Sequence, residues 1–126
     1  IRRPNVDDTK PNSGEEYTVA YYIKSLLTIH NKYLISKPDH VIMYHIYSQG
    51  DIANFAEFAC HATLGENVIL HLNESNEDTY LGMAAADILV TSASSFSYSA
   101  AFISDADIFY TEFWHKPCSW WNMLDK

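Results

Sequence analysis

Hydroxyl groups crowd one junction of this chain. After ADILV (residues 86–90) comes TSASSFSYS, which carries Ser92, Ser94, Ser95, Ser97 and Ser99 where a strand-like run hands over to a small-residue helix pattern. A helix N-terminus presents unpaired N–H groups and a partial positive charge, and together these bind anions. Short side chains let a phosphate approach the backbone, and hydroxyls add uncharged donors. Serine is also a favoured helix N-cap. From this stretch alone the capping role for Ser94 or Ser95 outweighs the phosphate role.

A second group shifts that balance. Arg2 and Arg3 are the only adjacent cations in the chain. Ile1-Arg2-Arg3 reads as the end of a strand, which Pro4 prevents from continuing. Neighbouring strand residues face opposite ways, so one arginine is expected at a pyrophosphate and the other in an ion pair. The other candidates are weaker. Asp51, Glu57, Glu74, Glu77 and Asp78 read as helix-start and surface carboxylates, and His45 and His71 as core histidines with backbone partners. No HxxxH or HxH pair suggests a metal site, and neither GxSxG nor GxxxxGK[ST] occurs. Asn73-Glu74-Ser75 is a formal glycosylation sequon.

The elements that must position these groups alternate. Residues 4–14 are turn chemistry, and Ser13 with Glu16 has capping-box spacing. Behind it Val19, Ile23, Leu26, Leu27, His30, Tyr33 and Leu34 recur at helical spacing up to Pro38. Strands are expected at 41–47 (VIMYHIY), 68–72 (VILHL), 88–91 and 107–110, and helices at 51–60, 75–85 and 96–103. An aromatic tail at 114–121 closes the pattern. Strands apolar on both faces, alternating with helices, predict an α/β fold: a Rossmann-like three-layer αβα domain with a mostly parallel sheet. Right-handed crossovers gather the loops after the strands on one edge, where ligands bind in such sheets.

Composition narrows the function. With 126 residues the chain is one domain, residues 1–126. A net charge of -8 argues against a nucleic-acid partner. Cys60 and Cys118, far apart, support neither a disulfide scaffold nor a cysteine zinc site. No apolar run approaches the length of a membrane span. The opening Ile-Arg-Arg reads as a piece of a longer protein.

Three segments, IRRPN, VIMYHIYSQGD and ADILVTSASSFSYSAA, together resemble the donor-binding half of the α1,2/α1,6-fucosyltransferase and protein O-fucosyltransferase superfamily. Arg2 and Arg3 match its arginine pair. Ser48 and, with a shift, Asp51 match its second strand end, and Asp87, Ser94, Ser95, Phe96, Ser97 and Tyr98 match its serine motif. Pro4-Asn5 departs from the polar pair that usually follows the arginines. The resemblance implies the nucleotide-binding half of a GT-B glycosyltransferase, spanning nearly the whole chain. It also implies inverting transfer from a nucleotide-sugar donor, GDP-fucose first, to a glycan or glycoprotein acceptor, with no obligatory metal. Arg2 would be catalytic, neutralising the leaving β-phosphate. Arg2, Arg3, Ser48, Asn73, Ser94, Ser95, Phe96 and Ser97 would bind the donor, and an N-terminal acceptor domain would supply the rest. Such a protein works in the Golgi lumen if eukaryotic, and in the cytoplasm if bacterial or viral. The alternatives are a glycosyltransferase using another nucleotide sugar, a non-catalytic sugar-nucleotide-binding domain, or a flavodoxin-like regulatory domain. Leu72-Asn73 and Thr111-Glu112 lack the Asp and Lys that a receiver needs.

Overall fold

Tyr22, Leu26 and Ile29 recur at helical spacing, and their burial holds the first helix against a layer of parallel strands. The computed structural model describes residues 18–124, and the elements run in the order α1 (Val19–Ser36), β1 (Tyr44–Ser48), α2 (Ala56–Ala59), β2 (Val68–Leu72), α3 (Asn76–Ala84), β3 (Ile88–Val90), α4 (Ser95–Ile103), β4 (Asp107–Tyr110) and β5 (Asn122–Met123). The chain is α/β, with all strand pairs parallel.

Three layers form. On one face Tyr22, Leu26 and Ile29 of α1 pack with Tyr44 and Ile46 of β1, Val90 of β3 and Phe109 of β4. On the other, Met83 of α3 and Ala100 and Ala101 of α4 pack with Leu89, Ile108, Tyr110 and Trp121. The two alanines let α4 approach the strands closely. α1 runs against the strand direction. Near its start the Tyr21 hydroxyl meets Thr111 Oγ1, just past β4, at 3.3 Å. Near its end the Tyr33 hydroxyl bonds Asp107, where β4 begins.

Among the described residues the strands form two parallel ladders, β1-β2 and β3-β4-β5. Two expectations need correction. The expected strand at 41–47 begins later, at Tyr44, because β2 starts at Val68, the residue paired with Tyr44. The residues just ahead of β2, Gly65–Asn67, form a 3₁₀ turn and offer 41–43 no strand to pair with. The expected helix at 51–60 is a 3₁₀ turn, Ile52–Phe55, followed by α2, since buried Phe55 has a non-helical ψ of 11°. Ser13, Glu16 and Arg2-Arg3 lie outside the described residues. Thr18 is the N-cap of α1, its hydroxyl accepting from the Tyr21 N–H at 3.2 Å. No helix among the described residues is long and apolar enough to cross a membrane.

Candidate functional site at the carboxyl edge

The serine turn links β3 to α4, and it folds around its own hydroxyls. Ser94 is the N-cap of α4, accepting from the Ser97 N–H at 3.3 Å. Ser97 Oγ returns to the loop, accepting from the Ser92 N–H at 3.1 Å and lying 3.1 Å from the Ser92 carbonyl. The Ser92, Ser94 and Ser97 hydroxyls also lie 3.1–3.3 Å from one another. All three residues are buried, Ser92 and Ser97 completely. Their hydroxyls therefore shape the turn from inside, and a ligand could reach Ser94 and Ser97 only if the turn opened. Ser95 differs. It is half-buried, begins the helix proper, and its Oγ lies 3.1 Å from His115 Nε2.

The sequence reading passed over His115. It follows β4 on the same carboxyl edge, clamped between the Trp114 and Tyr98 rings at 3.7 and 4.8 Å between centroids. The Tyr110 hydroxyl donates to its backbone carbonyl, and the Tyr98 hydroxyl to that of Lys116, which fixes the loop. Attention to the loops after every strand, rather than after β3 alone, would have found it. Phe96 is half-buried and meets the Tyr80 ring edge-on at 5.5 Å.

The other expected donor contacts gather at the ends of β1 and β2. Ser48 is buried, and its carbonyl accepts from the Asn73 N–H at 2.9 Å. Asn73 has a positive φ of 60°, a conformation that Asn tolerates better than most residues. Its side chain clips the facing loop: Oδ1 accepts from the Gly50 N–H, and Nδ2 donates to the Gly50 carbonyl, both at 3.0 Å. Asn73 thus holds two edge loops together. The structure places Ser94, Ser95, Phe96 and Ser97 in one turn, and Ser48 and Asn73 in a second cluster. Arg2 and Arg3 lie outside the described residues.

His45 and His71 are corrected too. Neither is a core residue with a backbone partner. His45 is exposed, and its Nδ1 lies 2.9 Å from His71 Nε2, while His71 Nδ1 lies 2.6 Å from Glu74 Oε2. The Tyr47 ring stacks on His71 at 4.3 Å. In register, Tyr47 faces His71 across the ladder, which puts their rings side by side. Burial, with the Glu74 charge adding, raises the Tyr47 phenol above its ordinary pKa. No group of three or more His, Cys, Asp or Glu among the described residues is arranged to hold a metal ion.

A cleft of about 890 Å³ opens between the two ladders. Leu26, Ile29 and Tyr33 of α1 form its roof, Gly82 and Met83 of α3 its floor, and β1 and β3 its sides. It lies inside the sheet layer, while the serine turn lies at the end of β3. Compared with known proteins, the chain matches no family model, no curated protein and no solved structure.

Proposed function

We propose that this chain is the donor-binding part of a glycosyltransferase of the fucosyltransferase kind, taking a nucleotide sugar, GDP-fucose first, at the carboxyl edge of its strands. The observation that carries the reading is the start of α4. A half-buried serine there, Ser95, shares its hydroxyl with His115 beside a helix N-terminus. That arrangement offers a pyrophosphate uncharged donors and the positive end of a helix dipole. Ser92, Ser94 and Ser97 hold the turn rigid behind it, so its backbone need not reorganise on binding. Ser48 and the Asn73–Gly50 clip shape the neighbouring loops, where the nucleoside would rest.

Arg2 is the catalytic residue in this reading. Breaking the sugar–phosphate bond leaves negative charge on the β-phosphate, and a guanidinium held there lowers the barrier electrostatically. The acceptor hydroxyl attacks the anomeric carbon from the opposite face and loses its proton to a base supplied by an acceptor domain.

The Ser95–His115 contact also invites a serine-hydrolase reading. His115 has no carboxylate hydrogen-bonded to it among the described residues, so nothing orients the imidazole as a base. Calorimetric titration of the whole chain with GDP, UDP, ADP and inorganic phosphate tests the proposal. The expected result is a preference for one nucleoside diphosphate, GDP first. Equal or absent binding across the series would remove the donor site.

A further inference from the structure

The face of the β1–β2 ladder turned away from α1 carries a row of three ionisable side chains. The register pairs His45 with Ile69 and Tyr47 with His71, so His45 and His71 lie diagonally across the ladder on one face. Glu74, three residues beyond His71, turns back onto the His71 ring. The contacts run in a line. Glu74 Oε2 lies 2.6 Å from His71 Nδ1, and His71 Nε2 lies 2.9 Å from His45 Nδ1. The two imidazole centroids are 5.2 Å apart, little more than that nitrogen separation plus two ring radii. The nitrogens therefore face each other along the line of centres. A metal ion in such a line would need about 4 Å between the nitrogens, twice the usual zinc–imidazole distance. The space fits a proton instead.

We infer that this row is an acid-sensitive lock on the β1–β2 ladder, in which one proton shared between the imidazoles ties the strands and charging both rings parts them. An ionised carboxylate only accepts, so a neutral His71 carries its proton on Nδ1 and presents a bare Nε2. His45 then donates through its own Nδ1–H, which leaves its Nε2 unprotonated. One added proton keeps the row intact. It makes His71 an imidazolium between Glu74 and His45, its ring stacked on Tyr47 with centroids 4.3 Å and planes 10° apart. A second proton sets N–H against N–H and charge against charge. Below the ordinary imidazole range, about pH 6.5, the unfolded chain protonates both histidines while the row has room for one, so stability falls as pH falls. The other ionisable group against the row is Tyr47, whose hydroxyl lies so close to Gly82 of α3 that a Cβ there would collide with it. Glu77 and Asp78, in the first turn of α3, are exposed and make no ion pair with either ring. Glu74 stands between Asn73, which clips Gly50, and Ser75, which caps α3. Opening the row therefore loosens the loops at the ends of both strands.

Nuclear magnetic resonance of the nitrogen-15-labelled whole chain tests the lock, and it uses no nucleotide, so its outcome is separate from that of the donor site. At about pH 8.5, above the imidazole range, the ring nitrogens should show the proton on Nδ1 in both His45 and His71. The Asn73 amide donates to the Ser48 carbonyl across the ladder. Its protection from hydrogen exchange, corrected for intrinsic rates, should fall about three- to fivefold between about pH 7.5 and about pH 5, as like charges meet across the strands. The Thr91 amide, which donates to the Phe109 carbonyl in the other ladder, should keep its protection. His45→Asn sets an amide near the place of Nδ1 and takes up no proton, so it should abolish the fall at Asn73. The wild-type tautomers and the two amides decide the matter if that variant does not fold. A proton on Nε2 of either ring at the higher pH would overturn the inference. So would unchanged protection at Asn73, an equal fall at Thr91, or a fall that persists in folded His45→Asn.

Discussion

Ser94 and Ser95 are adjacent, yet the structure gives them opposite work, and substitution should separate the two. Ser94→Ala removes the acceptor for the Ser97 N–H and one corner of a buried hydroxyl cluster. Losing an N-cap costs about 1 kcal/mol and up to about 2. The upper figure applies here, because Ser97 is completely buried and water cannot replace the lost acceptor. For a domain of this size, about 2 kcal/mol lowers the melting temperature by about 6–10 °C. Ser95→Ala loses a half-exposed contact to His115, about 0.5–1 kcal/mol of stability. Ser95→Asp places an acid in the first turn of α4, where the helix dipole favours it by about 0.3–1 kcal/mol, so melting should stay near wild type. Binding should follow a different order. Ser95→Ala should weaken nucleoside diphosphate binding about fivefold, the equivalent of about 1 kcal/mol. Ser95→Asp should weaken it further, because it sets a carboxylate against a pyrophosphate. Thermal melts and calorimetric titrations of the three variants check this. If Ser94→Ala melts within about 1 °C of wild type, the buried network does not hold the turn. If Ser95→Asp keeps full nucleotide affinity, the helix start is not the binding site.

Three further outcomes can be measured. Arg2→Ala should reduce nucleoside diphosphate affinity by about 30-fold, the equivalent of about 2 kcal/mol for a charge-assisted contact, with a smaller loss for inorganic phosphate in the same titration. Asn73→Ala should cost about 2 kcal/mol in denaturant unfolding, since it loses both bonds to Gly50 and strains a positive φ; Asn73→Gly, which tolerates that φ, should cost about 1. The hydrogen bond to Asp107, with burial and the carboxylate charge adding, pushes the Tyr33 phenol up to about 12, and burial pushes Tyr44 to about 12. A raised folded-state pKa gives stability that is complete below the unfolded value of 10.0 and is lost as pH rises through about 12. Tyr33→Phe should therefore flatten the loss of stability between pH 10 and 12, read by alkaline melts alongside tyrosinate absorbance.

Local chemistry made much of this fold legible. Ser75 caps α3 by accepting from the Asp78 N–H at 3.1 Å, as the Ser-x-x-Asp spacing implies. The strands at 68–72 and 107–110 coincide with β2 and β4, because short apolar runs between turn residues have few other ways to be buried. Pairing was less visible. β1 starts at Tyr44 because β2 supplies no neighbour for residues 41–43, and nothing in VIMYHIY encodes that. β5, two residues long, carries no periodicity, and only its docking on β4 makes it a strand.

The serine turn shows the same limit at the level of side chains. Five serines in nine residues point to a helix start and to an anion, but composition cannot say which of them face inward. The spacing could. Ser94-x-x-Ser97 places a second hydroxyl at the third helical position, where a capping-box side chain turns back toward the residues before the helix. Ser97 does this, reaching the Ser92 N–H and carbonyl, and is thereby withdrawn from solvent. Ser95, one step round the helix, is left facing His115. A turn that needs three serines inside it can offer few outside, so an anion bound at this edge, as proposed above, would meet the helix start, Ser95 and His115 first.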